Sequence, residues 1–61
     1  MNYEIWKKEE NGNKEFLLIS ENNKNTDFYK EEIKNSILVK SFFSTDKNKV
    51  KEIYNDFLLN N

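Results

Sequence analysis

A chain of 61 residues makes one domain, and at that size it buries only about 60% of the surface its unfolded form exposes. With no Cys and no His it lacks disulfides and the usual ligands of a structural zinc, so stability falls to its apolar residues, among them five Phe, three Tyr and one Trp. Ten Lys against eleven Asp and Glu, with no Arg, give a net charge of −1 and weigh against phosphate neutralisation as the main task.

Asn2–Lys8 (NYEIWKK) alternates, with Tyr3 and Ile5 on one side and Glu4 and Trp6 on the other, which predicts a strand. Glu9–Asn13 follows and contains Asn11-Gly12, the strongest short hairpin signal, because both residues tolerate positive φ. Glu15–Ser20 (EFLLIS) is the returning strand. Its four consecutive apolar residues suggest a central strand covered on both faces. Glu21–Asn25 reads as a polar loop. Thr26–Asn35 then predicts a helix of one to two turns, with Tyr29 and Ile33 paired at i, i+4 and Phe28 beside them.

Ser36–Ser44 (SILVKSFFS) returns to strand composition. Simple alternation puts Ile37, Val39, Ser41 and Phe43 on one face and Leu38, Lys40 and Phe42 on the other. Thr45–Asn60 is an amphipathic helix, because Val50, Ile53, Tyr54, Phe57 and Leu58 fall at i, i+3, i+4, i+7 and i+8. Thr45 is its expected N-cap, and Asn60-Asn61 its expected frayed tail. The expected fold is α+β, in the order β-β-(short α)-β-α. It is a three-stranded antiparallel sheet with the C-terminal helix packed on one face. A 1-2-3 meander is the preferred strand order, with 2-1-3 the alternative.

The strand Tyr3-Glu4-Ile5-Trp6 and the run from Leu38-Val39-Lys40-Ser41-Phe42 through Thr45 and Val50 to Tyr54-Asn55-Asp56-Phe57-Leu58 resemble a group of very small bacterial proteins of unassigned function. Those open on a YE-[IV]-W strand and close on a strand and helix of the kind LVxTF…S…EA…Y..FL. The similarity covers about two-thirds of the chain. Lys49 and Val50 replace the pattern's acidic-small pair, and Asn48 stands at its capping-box acid. The shared positions are core and cap residues, so the resemblance implies the fold and carries over no activity.

Chemistry is scarce. Without His or Cys the commonest general base and the thiolate nucleophile are absent, and a single Gly excludes a phosphate-cradling loop. The neighbouring carboxylates Glu9-Glu10 and Glu31-Glu32 point apart on a strand or a helix. The expectation is no enzyme, no cofactor, no metal and no small-molecule substrate. No apolar window is long enough to cross a membrane, and the acidic N-terminal stretch is unlike a signal peptide, so a cytoplasmic protein is expected.

Apolar residues on both faces of the second and third strands exceed what one helix can cover. The surplus implies a lid from Phe28, Tyr29 and Ile33, a homodimer, or a partner protein. The candidate interaction surface is Trp6, Phe28, Tyr29, Leu38 and Phe42, with Trp6, Leu38 and Phe42 grouped if register allows. The expected function is therefore a non-enzymatic interaction module. Inhibitors made by phages and mobile elements against host proteins share this size and composition. The alternative is weak single-strand nucleic-acid binding by Trp6, Phe16 and Phe42 edged by Lys7, Lys8, Lys14 and Lys40, or through a helical patch of Lys47, Lys49 and Lys51.

Overall fold

A computed structural model describes Met1–Asn61 throughout. Its elements are β1 (Asn2–Glu10), β2 (Asn13–Ser20), α1 (Asp27–Ile33), β3 (Ile37–Phe43) and α2 (Lys47–Leu59). The architecture is the expected α+β one: a three-stranded antiparallel sheet with a C-terminal helix on one face. The strand order is β2-β1-β3, which overturns the preferred meander. β1 is the longest strand and pairs along both edges, while α1 carries the chain across from β2 to β3. The apolar run of β2 nevertheless has a cause. Phe16 and Leu18 face one layer and Leu17 and Ile19 the other, so both faces are covered although one edge is free.

Glu10 pairs with Asn13, leaving Asn11 and Gly12 as a two-residue loop with φ of 54° and 84°. Positive φ at both central positions is the mirror-image turn whose twist matches the flanking strands. A Cβ at Gly12 would meet nothing within 4 Å, so only the backbone limits substitution there. Gly12→Val should therefore cost about 1–2 kcal/mol from left-handed strain alone. An unchanged melting temperature would show that the turn does not need this conformation.

The far end of the hairpin is pinned by a reciprocal contact. Glu21 N–H donates to the Asn2 carbonyl at 2.9 Å, and Asn2 Nδ2 donates to Glu21 Oε2 at 3.1 Å. Hydrogen bonds from the Asn2 backbone and side chain hold the Glu21 carboxyl below its ordinary range. A depressed folded pKa adds stability above the ordinary carboxylate pKa and loses it as pH falls through the folded value. Parent and Glu21→Gln should thus differ in melting temperature at neutral pH and converge in acid. A gap that persists in acid would remove the carboxylate from the account.

The helix α2 lies on the face that carries Tyr3, Ile5, Phe16 and Leu18. Phe57 meets Phe16 edge-to-face with centroids 5.2 Å apart, and Val50 is buried. Asp46 supplies the N-cap in place of Thr45: its Oδ1 accepts from Asn48 N–H at 2.9 Å, so the helix starts one residue later. The expected frayed tail is tied down as well. Asn60 Nδ2 donates to the Asp56 carbonyl and Asn61 Nδ2 to the Phe57 carbonyl, each at 2.8 Å. Phe57 is only half-buried, so Phe57→Ala should cost about 2–3 kcal/mol, below the range for a fully enclosed Phe. A denaturant midpoint equal to the parent's would place the helical stripe off the core.

The opposite face of the sheet carries Glu4, Trp6, Leu17 and Ile19, and the segment containing α1 lies over it. Lys24 Nζ reaches Glu4 Oε2 at 3.1 Å, and Glu32 and Ser36 stand beside Trp6 and Leu17. The Cα envelope measures 34 × 29 × 13 Å.

Candidate interaction surface

Register decides which of the expected surface residues meet. Trp6 pairs with Leu38, so these two share the α1 face as anticipated. Phe42 pairs with Tyr3 and stacks on its ring at 5.5 Å, which puts it on the α2 face. The expected grouping of Trp6, Leu38 and Phe42 is therefore split. The cause is a β-bulge: Ile5 pairs with Lys40 and Trp6 with Leu38, leaving Val39 as an extra residue. Beyond the bulge every side chain changes face relative to simple alternation. Leu38, Ser41 and Phe43 lie on the α1 face, and Ile37, Lys40 and Phe42 on the α2 face. Nothing in the composition of SILVKSFFS marks the bulge.

Trp6 is half-buried, and its indole N–H donates to Glu4 Oε1 at 3.1 Å. Because Glu4 also holds Lys24, the three form a short polar chain that orients the indole. Trp6 serves the framework more than the surface. Tyr29 and Ile33 are the two half-buried residues of α1; Phe28 stays 65% exposed, its ring edge-on to Tyr29 at 5.1 Å.

What the two helices leave open lies on β3. Ile37 is 61% exposed, Leu38 46% and Phe43 64%, and Phe42 is the only β3 residue that is not largely exposed. Phe43 and Ile37 were outside the expected surface. The signal that could have found them is the length of the apolar run in a strand with no fourth strand to cover its edge.

The basic patch does not hold together. Lys47 and Lys51, four apart, flank a cleft of about 480 Å³ lined by Met1, Tyr3, Leu18 and Val50. Lys49, turned about 200° around the helix from each, has its Nζ 3.7 Å from Glu52 Oε2. The aromatic platform is divided too. Phe16 packs under α2 and Phe42 against Tyr3, on the face opposite Trp6. Lys7 contacts Glu9 at 3.4 Å. No group of three His, Cys, Asp or Glu side chains could hold a metal ion. No helix is long and apolar enough to cross a membrane. No family model, no curated protein and no solved structure matches the chain.

Proposed function

We propose that the chain is a non-enzymatic interaction module that acts by occupying the surface of another protein. The observation that carries this reading is the β3 side of the sheet, where Ile37, Leu38 and Phe43 stand open with Phe28 exposed on α1. A domain this poor in core gains from every large apolar residue it encloses, so leaving these outside is costly unless something else covers them. Phe is among the residues enriched in the buried core of protein interfaces, and Phe28 and Phe43 are 65% and 64% exposed. The nucleic-acid alternative has less support, because Phe16 and Phe42 lie on the α2 face, opposite Trp6, and Phe16 is packed there against Phe57.

The test is capture from extract of the source cell with the parent and with a Phe28→Ser/Leu38→Ser variant, each at low and high salt. Both positions are substantially exposed, so the variant should fold. Proteins retained by the parent at high salt and lost from the variant are the expected result. Recovery of nucleic acid alone, released as salt rises, would replace this reading with the phosphate-binding one.

A further inference from the structure

The sheet has two outer edges, and they are not equivalent. Glu21 N–H bonds to the Asn2 carbonyl, and Ser44 N–H bonds to the Met1 carbonyl at 3.1 Å. Antiparallel ladders alternate, so the even residues of β1 turn their backbone groups to β2 and the odd residues turn theirs to β3. Phe16, opposite Lys7, therefore points its carbonyl away from β1, and Tyr54 Oη from α2 donates to that carbonyl at 3.2 Å. The β2 edge is partly closed by the protein's own helix. On β3, Ser41 and Phe43 sit opposite Glu4 and Asn2, so their N–H and C=O groups face outward, and no backbone bond outside the regular elements reaches them.

We propose that the β3 edge pairs antiparallel with β3 of a second copy of this chain, with Ser41 on the two-fold axis. The bulge at Val39 interrupts the edge on its Ile37 side, which leaves Val39–Phe43 as the stretch available for pairing. Lys40 is the only charge on the strand, and a dyad at Lys40 would set it against itself. With the dyad at Ser41, Lys40 lies opposite the second copy's Phe42, and Phe43 lies opposite the second copy's Val39. Ser41 and the second copy's Ser41 then exchange both backbone hydrogen bonds. The result is one six-stranded sheet. Its overlap of about 17 Å covers few large side chains, short of the roughly 800 Å² per partner of a standard interface. The association is accordingly weak and dependent on concentration. This inference goes beyond the proposed function and does not rest on it: it uses the backbone edge of Val39–Phe43, whereas that reading uses exposed side chains, of which Phe28, Ile37 and Leu38 lie outside the paired stretch.

The alternation supplies the test. Proline at Ser41 removes an N–H that β1 does not use, so Ser41→Pro should keep the fold and lose the dimer. Sedimentation equilibrium should show the parent's mean mass rising with concentration. Ser41→Pro, with circular dichroism like the parent's, should dissociate more easily by at least about tenfold, the worth of two lost hydrogen bonds. The chain has no cysteine of its own, so register can be read directly. In a hydrogen-bonded antiparallel pair the Cα atoms are about 5.5 Å apart, within disulfide reach. Oxidised Ser41→Cys should give a covalent dimer, and the exposed control Thr45→Cys should not. If Ser41→Pro fails to fold, the cysteine pair alone decides. A parent of constant single-chain mass, or cross-linking equal at both positions, would overturn the proposal and leave the capture experiment unaffected.

Discussion

Replacing Ile5 with alanine is expected to cost about 2–5 kcal/mol, a large part of the total stability of a domain this small. Ile5 is 0% exposed, at the middle of the central strand and on the face that α2 covers. Its neighbours across the sheet are Leu18 on β2 and Lys40 on β3, so it is locked on both sides. The removed carbons leave a cavity that two paired strands cannot close, which places the cost in the upper part of that range. Only Ile5, Ile19 and Val50 are buried, so no larger core absorbs the loss. Equilibrium unfolding in urea, followed by circular dichroism, measures it. A loss below about 1 kcal/mol would show that the site collapses around the smaller residue, and that the sheet–α2 layer is looser than its geometry.

How far the sequence foretold this fold follows from which interactions are local. Asn11-Gly12 specifies its turn through the φ values of two adjacent residues, and the stripe from Val50 to Leu58 specifies its helix through spacing alone. Both were legible. The strand order was not, because the run in β2 reports that two faces are covered and says nothing about which edge is free. Likewise the split between Leu38 and Phe42 depends on one unpaired residue, Val39, whose side chain is an ordinary strand former. The shift from Thr45 to Asp46 at the cap reflects competition between neighbouring oxygen-bearing side chains, where Ser44 Oγ also accepts from Asp46 N–H at 3.1 Å. Of the expected surface residues, Phe28 and Leu38 are open, Trp6 and Tyr29 are half-enclosed, and Phe42 is turned to the other face. Sequence conveyed that an apolar surplus exists; register determined where it lies.

Ile19→Ala is the second large effect expected, again about 2–5 kcal/mol, and it tests the opposite layer. Ile19 is 1% exposed although β2 is an edge strand, so its enclosure depends on what lies over the α1 face. That cover is slight. The helix α1 has seven residues, no fully buried residue of its own, and no side-chain bond at its N-cap, where Thr26 Oγ1 instead donates to the Asn23 carbonyl. A helix that short does not persist in water without packing, so α1, whose half-buried residues are Tyr29 and Ile33, depends on the sheet face it covers. Losing Ile19 should therefore act twice, through the cavity and through the undocking of α1. Hydrogen exchange separates the two contributions. In Ile19→Ala the amides of α1 should lose protection more than those of α2, whereas in Ile5→Ala the sheet and both helices should weaken together. Equal loss across both helices in Ile19→Ala would mean that α1 is not a separately docked lid. A cost near zero would mean that it never sealed this face at all.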